Sequence, residues 1–217
     1  MNLIDVLKNS EHTYNLVAST YNKLFFDELS RKPFDRALLD KISDSLHKEN
    51  GLILDIGCGS AGHVGRYLSE KGFVVCGIDL SPKSIELAQK TNPKMDFKVM
   101  NMMQLDFKDS SIQSILAFYS IIHIPKNEIT KVFTEFSRVL KPNGLLILAV
   151  HEGTTEQVID EMLGYKTTLY VDFFTDKELT EKLSQSNYLV QYSHTRKPYE
   201  FEHQTNRVYI IAKSMKK

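Results

Sequence analysis

Residues 52–64 read LILDIGCGSAGHV, an apolar run followed by an acid and a cluster of glycines. The run Leu52–Leu54 has the composition of a buried strand, and the residues after the glycines continue as a helix. Gly57, Gly59 and Gly62 lie where the backbone must turn tightly or let a ligand approach, because a Cβ atom would clash there. The stretch therefore predicts a strand, a glycine-rich turn and a helix that together bind a nucleotide-like ligand.

The glycines also match the GxGxxG pattern of dinucleotide-binding proteins, so two kinds of ligand compete for this loop. Asp55, at the end of the predicted strand, separates them. A carboxylate there repels a diphosphate at the helix N-terminus but suits a ligand that carries a cation. S-adenosylmethionine has a sulfonium and an ammonium group and no phosphate. Asp55 therefore favours S-adenosylmethionine over a nicotinamide dinucleotide.

These residues resemble the first motif of the class I S-adenosylmethionine-dependent methyltransferases, acid-x-Gly-x-Gly, with Asp55, Gly57 and Gly59 in the matching positions. The family usually has a third glycine two residues after the second. This chain has Ala61 there and Gly62 next, so we expect one extra residue in the loop. The phrases GIDLSPKSIELA and FSRVLKPNGLLIL are similar to two later motifs of the family. The resemblance implies S-adenosylmethionine as the cofactor and a small-molecule, ubiquinone-biosynthesis-like methyltransferase domain.

Asp79 ends the next apolar strand, 24 residues beyond Asp55. An acid about 20 residues beyond the glycine loop accepts hydrogen bonds from ribose hydroxyls in doubly wound folds. A turn at the end of the strand is the alternative role. Ser81 and Pro82 follow as the predicted N-cap and first residue of a helix.

Further cofactor contacts follow from the resemblance. Tyr14 and Tyr21 lie two helical turns apart, and either cap packing or ligand contact explains their shared face. The residue that matches Tyr21 in the family lies near the methionine end of the cofactor. Asn101 stands where the family has an acid that accepts from the adenine amino group, and Met102 is expected against adenine. The predicted cofactor-binding residues are Tyr21, Asp55, Gly57, Cys58, Gly59, Asp79, Leu80, Asn101, Met102 and Tyr119.

Candidate catalytic residues follow the fourth and fifth predicted strands. Ligands in open α/β sheets bind beyond the carboxyl ends of strands, so Tyr119, Ser120 and His123 are placed where the transferred methyl would emerge. His151 ends the fifth strand, and an imidazole with an ordinary pKa of about 6.5 could take a proton from a hydroxyl or amine acceptor. Packing of His123 under the next helix and a backbone hydrogen bond from His151 are the alternatives. The predicted catalytic residues are His151, Tyr119 and His123.

The composition of the 217-residue chain limits its partners. Its 27 Lys and Arg balance its 27 Asp and Glu, so no basic field points to nucleic acid or an anionic membrane. The longest clean apolar run, Leu145–Val150, is far below the about 20 residues of a membrane helix. Cys58 and Cys76 form no disulfide pattern, and the N-terminus has no signal-peptide core. We expect a cytoplasmic protein with a small-molecule acceptor and no metal site, and the oligomeric state stays open.

The predicted fold is α/β, a Rossmann-like doubly wound domain with a mostly parallel seven-stranded sheet. It has an N-terminal helical cap and a C-terminal antiparallel hairpin. We divide the single domain 1–217 into a cap at 1–48, a cofactor-binding core at 49–151, and a substrate-side lid and terminal hairpin at 152–217. Residues 152–174 are the least patterned part, with a helix-like middle.

The predicted function is in-line transfer of a methyl group from S-adenosylmethionine to a small molecule. Such a reaction asks the protein mainly for alignment and exclusion of water, so a base is optional. An NAD-dependent oxidoreductase and a non-catalytic S-adenosylmethionine-binding protein are the alternatives.

Overall fold

The structure, a computed structural model, describes residues 1–216, without the side chain of Asn50. Lys217, the last residue of the predicted domain, lies outside the described residues. The helices are α1 (Leu3–Phe25), α2 (Pro33–Ser45), α3 (His63–Glu70), α4 (Pro82–Thr91), α5 (Ile129–Val139) and α6 (Asp176–Gln185). The strands are β1 (Leu52–Ile56), β2 (Val75–Asp79), β3 (Asp96–Val99), β4 (Ile112–Phe118), β5 (Leu140–His151), β6 (Glu156–Met162), β7 (Tyr165–Asp172), β8 (Tyr188–Arg196) and β9 (Arg207–Ser214).

Seven strands form the main sheet in the order β3–β2–β1–β4–β5–β9–β8. Strands β1 to β5 pair in parallel, and β9 pairs antiparallel with both β5 and β8. The order in which strands are added to the sheet reverses at β1, because β2 and β4 flank this strand on opposite sides. This is the predicted doubly wound, mostly parallel sheet with a C-terminal antiparallel pair, and the prediction is confirmed. In the part of the chain that is described, no helix has the length and apolar character needed to cross a lipid bilayer.

Two helical layers bury the sheet, which explains why its inner strands are apolar on both faces. Alternate residues of a strand point to opposite faces. Leu54 and Ile56 therefore face the layer of α5 and α6, whereas Ile53 faces the layer of α2 and α3. All seven residues of β4 are buried, as expected for a strand covered on both sides.

The predicted N-terminal cap divides into two parts in the structure. α1 packs against α4 and β7, close to the carboxyl ends of the strands. Leu38, Leu39 and Ile42 of α2 pack with Ile53 in the core under the sheet. The second half of segment 1–48 therefore covers a face of the sheet and not its open end, because its apolar stripe needs a flat apolar partner.

Residues 152–174 correct a prediction. The helix-like middle expected there is wrong, because β6 and β7 form a two-stranded antiparallel hairpin. Leu163 and Gly164 make its turn with φ values of 53° and 84°, the conformation of tight hairpin turns. The hairpin lies against α1, where Thr13 and Thr167 form a hydrogen bond. Strand pairing and this packing override a local pattern that lacks clear alternation.

The carboxyl ends of β1, β2, β4 and β5 meet at one edge of the sheet. Their last residues are Ile56, Asp79, Phe118 and His151. α1 and the β6–β7 hairpin flank this edge. The site predicted from the sequence therefore lies between the strand ends and these two elements.

Candidate active site

The loop after β1 holds Gly57 and Gly59 in the left-handed region, with φ values of 67° and 61°. A Cβ atom on Gly57 would lie 2.3 Å from Cβ of Ser120, and one on Gly59 would lie 3.3 Å from the ring of Tyr21. The N–H of Gly57 donates to the carbonyl of Ile78 at 2.8 Å, which ties the loop to β2. The loop can follow this path only with glycine at both positions.

Asp79 joins the end of β2 to the glycine loop. Its Oδ2 accepts from the N–H of Gly59 at 2.9 Å, and its Oδ1 accepts from the N–H of Ser81 at 2.9 Å. The side chain is 8% exposed, and burial raises its pKa while the backbone N–H groups oppose that rise. A carboxylate oxygen accepts about two hydrogen bonds. The carboxylate has about four acceptor sites, and the N–H groups of Gly59, Ser81 and Leu80 use up to three of them, so acceptor capacity is left for a ligand.

A narrow cleft of about 80 Å³ runs along this edge of the sheet between the glycine loop and α1. Eight of the ten predicted cofactor-binding residues line it: Tyr21, Gly57, Gly59, Asp79, Leu80, Asn101, Met102 and Tyr119. Side chains that the predicted set lacks also line it, among them Leu7, Ser10, Tyr14 and Met100. The structure thus brings most of the predicted contacts together and adds a wall from α1.

The two remaining predicted cofactor residues, Asp55 and Cys58, lie outside the cleft. They line a neighbouring cavity of about 30 Å³ that also touches Tyr21 and Tyr119. Oδ2 of Asp55 accepts from the N–H of Gly65 at 2.9 Å and so holds the first turn of α3. Burial raises the pKa of Asp55 to about 6, although this N–H opposes it. A direct ligand contact for Asp55 stays a prediction, whereas its support of the loop is visible.

Asn101 turns its amide oxygen toward its own backbone. Oδ1 accepts from the N–H of Met103 at 2.9 Å, which closes a tight turn after β3. The same oxygen is the one expected to accept from an adenine amino group, and one lone pair is left for that bond. The residue therefore fits the predicted contact with a single remaining acceptor site.

His123 uses both ring nitrogens inside the protein. Nδ1 lies 2.8 Å from the carbonyl of Tyr170, and Nε2 lies 2.8 Å from the hydroxyl of Tyr14. A carbonyl only accepts, so Nδ1 donates, and Nε2 of the neutral ring accepts from Tyr14. Burial lowers the pKa of His123 to about 4. The ring is therefore neutral at pH 7 and has no lone pair left for a proton from the acceptor.

His151 lies at the end of β5 with Nδ1 2.7 Å from the hydroxyl of Thr205. The partner is thus a side chain and not the backbone group named as the alternative to a catalytic role. Burial first, and then the charge of Arg207, lower the pKa of His151 to about 3, far below the ordinary value expected from the sequence. At that pKa the ring is a weak base, so proton abstraction by His151 is disfavoured.

A second cavity of about 390 Å³ adjoins the cleft, and we call it the acceptor cavity. The two share four side chains: Tyr14, Tyr21, Tyr119 and His123. One side of the acceptor cavity is apolar, with Ile159, Met162, Leu169, Val171 and Phe173 from the hairpin and the residues after it. The other side is charged, with Glu28, Lys32, Glu202 and Arg207.

Tyr119 connects this region to a buried polar chain. Its hydroxyl lies 3.1 Å from the hydroxyl of Tyr209, which donates to Asp35 with distances of 3.1 and 3.2 Å to the two oxygens. Nε of Arg196 also donates to the Tyr209 hydroxyl at 3.1 Å. Because Tyr209 gives its one proton to Asp35, Tyr119 must donate its own proton to Tyr209. Burial and the charge of Asp35 raise the pKa of Tyr119 to about 12, so Tyr119 is neutral and a lone pair of its oxygen stays available.

Several of these residues were missed by the sequence reasoning. Asp35 lies on the same helical face as Leu38 and Ile42, and an acid on an apolar stripe is the signal that could have found it. Arg196 ends β8 and Arg207 begins the adjacent β9, but nothing local in the sequence links either residue to the cleft. Their roles depend on pairing between segments that are distant in the sequence.

The fold and the cleft together are typical of an α/β domain that binds a nucleotide-like ligand. Comparisons with known proteins indicate which family of such domains is meant. Residues 53–144 match the family described as methyltransferase domain. YqeM of Bacillus subtilis, named as a methyltransferase, is 32% identical over 145 residues, which cover 64% of this chain and 56% of that protein. The sterol 4-C-methyltransferase strm-1 of Caenorhabditis elegans is 26% identical over 186 residues, 78% of this chain and 55% of that protein. The chain thus spans about half the length of these curated relatives.

A solved structure agrees with the family. The crystal structure of a SAM-dependent methyltransferase from Methanosarcina mazei superposes with a TM-score of 0.71 at 25% identity. The match covers 81% of this chain and 97% of that one. These matches support the class I S-adenosylmethionine-dependent methyltransferases as the family, in agreement with the resemblance of the glycine loop.

Proposed function

We propose that this protein transfers a methyl group from S-adenosylmethionine to a small-molecule acceptor by in-line displacement. The observation that carries the proposal is the wall shared by the cleft and the acceptor cavity. In-line transfer needs two ligands that meet with their reacting atoms aligned and with water kept out. Two adjoining cavities that meet at Tyr14, Tyr21, Tyr119 and His123 suit this requirement.

The side chains of the cleft fit the cofactor. Asp79 lines the cleft and keeps acceptor capacity beside its bonds to backbone N–H groups, which suits the ribose hydroxyls. Oγ of Ser10 lines the cleft and is buried without a hydrogen-bond partner among the described residues, so it can bond to a polar ligand atom. We assign the adenine to Asn101 and Met102, and the methionine end to Tyr21 and the glycine loop.

When bound, S-adenosylmethionine supplies a methyl group on a sulfonium whose C–S bond breaks to leave a neutral thioether. The protein must then remove one proton from a hydroxyl or amine acceptor. We assign this task to Tyr119, whose oxygen accepts the proton of the acceptor while its own proton moves to Tyr209. Tyr209 in turn passes its proton to the carboxylate of Asp35, whose pKa burial raises. The route ends on a base that is stronger than an ordinary carboxylate.

His151 and His123 take other roles in this proposal. Both side chains line the acceptor cavity, and both are neutral at pH 7 because burial lowers their pKa values to about 3 and about 4. His123 fixes the hydroxyl of Tyr14 between the two cavities. Neutral rings shape the cavity without adding charge at the site of transfer.

The three segments predicted from the sequence supply different parts of the site in this proposal. Residues 49–151 carry the glycine loop, Asp79 and Asn101 and bind the cofactor. Residues 1–48 and 152–216 supply most of the acceptor cavity, through Tyr14, Lys32, the β6–β7 hairpin and Arg207. A partly apolar cavity suits a small molecule better than a nucleic acid, for which the balanced charge of the chain gives no attraction.

Two measurements test the proposal. Calorimetric titration should give micromolar affinity for S-adenosylmethionine or S-adenosylhomocysteine and none for NADH; tight NADH binding alone would support an oxidoreductase instead. Incubation with methyl-labelled S-adenosylmethionine and a metabolite extract should transfer label to a small molecule, which mass spectrometry identifies. Cofactor binding without transfer to any extract fraction would indicate a non-catalytic binding protein. The Asp79→Ala variant is the control for both measurements.

A further inference from the structure

Charged side chains form one wall of the acceptor cavity. Glu28 and Lys32 come from the segment that joins α1 to α2, and Glu202 and Arg207 come from the end of the β8–β9 connection. Lys32 pairs with Glu28 at 2.8 Å and with Glu202 at 3.2 Å. The hydrogen bonds of these four side chains decide which charged group is available to a ligand.

Glu202 has no acceptor capacity left. Its Oε2 accepts from Nη1 of Arg196 at 2.7 Å and from the N–H of Tyr199 at 2.8 Å. Its Oε1 accepts from Nη2 of Arg196 at 2.9 Å and contacts Nζ of Lys32 at 3.2 Å. Burial acts against the charge, but the hydrogen bonds from Arg196 lower the pKa of Glu202 to about 2. An ionised carboxylate has about four lone-pair sites, and four donors already occupy those of Glu202.

Arg207 is therefore left with a long ion pair to Glu202 and, among the described residues, with no hydrogen bond to a carboxylate. Its Nε lies 3.9 Å from Oε2 of Glu202, too far for a hydrogen bond, and is buried with no acceptor in residues 1–216 as described. Within residues 1–216, every hydrogen bond from the Arg207 guanidinium comes from Nη1. This atom donates to the carbonyls of His203 and Thr205 and to the hydroxyl of Thr205. The residue is 3% exposed. A buried guanidinium with unused donors is costly, so such groups normally have an anionic partner.

The surroundings of Arg207 favour an anion. His151 and His203 line the same part of the cavity, and their rings lie 5.7 Å apart. Burial first and the charge of Arg207 second depress the pKa of His151, so this ring adds no charge beside Arg207 at pH 7. Apolar side chains of the β6–β7 hairpin line the same cavity. The cavity thus offers a buried guanidinium with unused donors and an apolar lining.

We propose that the methyl acceptor is an apolar molecule with a carboxylate, which binds to the Nε and Nη2 edge of Arg207. A guanidinium edge presents two parallel N–H groups that match the two oxygens of a carboxylate. The apolar body of the acceptor then lies against Ile159, Leu169 and Val171, and its nucleophile lies at Tyr119. This inference rests on the proposed function, because it assigns the second cavity to the acceptor.

The test begins with the unmodified protein saturated with S-adenosylhomocysteine. A panel of aromatic and alicyclic carboxylic acids, starting with 1-naphthoate, is compared by thermal shift and calorimetry with the uncharged amides of the same skeletons. We expect several acids to bind at least tenfold more tightly than their amides. Equal binding of acids and amides, or no binding by any acid, would overturn the inference. Failure of S-adenosylhomocysteine itself to bind would instead overturn the proposed function.

Variants then locate the contact. Arg207→Gln should remove the preference for acid over amide, and Arg207→Lys should keep part of it because the charge remains without the two-pronged edge. Lys131→Gln, at an exposed position of α5, is the matched loss of one charge and should keep the full preference. The affinity for S-adenosylhomocysteine shows whether each variant is folded. A folded Arg207→Gln protein that still prefers acids would place the anion site elsewhere.

Discussion

Asp79 links the two halves of the cofactor cleft at the scale of single atoms. Its oxygens hold the N–H groups of Gly59 and Ser81, and they keep lone pairs toward the cleft. Asp79→Ala removes charge-assisted hydrogen bonds to a ligand, worth about 1.5–3 kcal/mol, so the dissociation constant of S-adenosylmethionine should rise at least tenfold. Calorimetry measures this, with Asp96→Ala at an exposed position as the control. If Asp79→Ala and Gly59→Val both bind like the parent, the cofactor does not bind in this cleft.

Tyr209 tests the proposed proton route without a direct contact to either ligand. Its hydroxyl accepts from Tyr119 and donates to Asp35, and the side chain is fully buried. Tyr209→Phe keeps the ring and removes this link, so turnover should fall tenfold or more. The affinity for the cofactor should stay within twofold, because the loss belongs to the transition state. Tyr192→Phe, on the neighbouring strand, should leave turnover unchanged; equal turnover in both variants would mean that alignment alone drives transfer.

At the scale of elements, the N-termini of α4 and α6 carry similar caps in different surroundings. Ser81 caps α4 by accepting from the N–H of Ser84, and Thr175 caps α6 by accepting from the N–H of Glu178. The hydroxyl of Ser81 also donates to Asn15 of α1 at 2.7 Å, which joins α1 to the cofactor-binding core. α1 is therefore positioned over the cleft partly by the cap of another helix.

Because only the cap of α4 also contacts α1, alanine at the two cap positions should have different effects. Ser81→Ala and Thr175→Ala should each lower the free energy of unfolding by about 1 kcal/mol through loss of the cap. Only Ser81→Ala should also weaken cofactor binding, by severalfold, because it frees α1 beside Tyr14 and Tyr21 of the cleft. Urea denaturation and calorimetry on the two variants separate stability from binding. Equal cofactor affinities in the two variants would show that the Asn15 contact does not position α1.

The whole molecule should respond to pH through its buried histidines. The folded pKa values of about 4 for His123 and about 3 for His151 lie below the unfolded value of about 6.5. Below pH 6.5 the unfolded chain therefore binds protons that the folded chain does not, and stability falls as the pH falls. Asp55, whose pKa is raised to about 6, offsets part of this loss, since the folded chain binds its proton first.

Comparing the parent with a His123 variant isolates the contribution of His123 to this pH dependence of stability. Between pH 7.5 and 5.5, one histidine with such a shift lowers the free energy of unfolding by about 1 kcal/mol. His123→Gln should lose less stability than the parent over this interval, by about that amount. Urea denaturation at both pH values gives the comparison, with His12→Gln on α1 as the control. A parallel loss in His123→Gln and in the parent would contradict a buried, neutral His123.

Much of the fold could be predicted because its signals are local. Asp79 and His151 end β2 and β5 as predicted, and α4 begins at Pro82 with Ser81 as its N-cap, because apolar runs and caps act on neighbouring residues. The β6–β7 hairpin was missed because residues 156–172 alternate poorly and pair only with each other against α1. Local pattern carries little information where the neighbour that buries a strand is far away in the sequence.

The sequence by itself determined the doubly wound sheet, the glycine loop and the place of Asp79 at a strand end, since each depends on spacing along one segment. Only the tertiary structure decided how the polar residues pair. Asp35 and Tyr209 are 174 positions apart yet share a hydrogen bond, and Arg207 makes no hydrogen bond to Glu202 because Arg196 and Lys32 already occupy that carboxylate. Charge pairing in a buried cavity depends on which groups meet in space and on how many lone pairs remain, and no pattern along the chain records either.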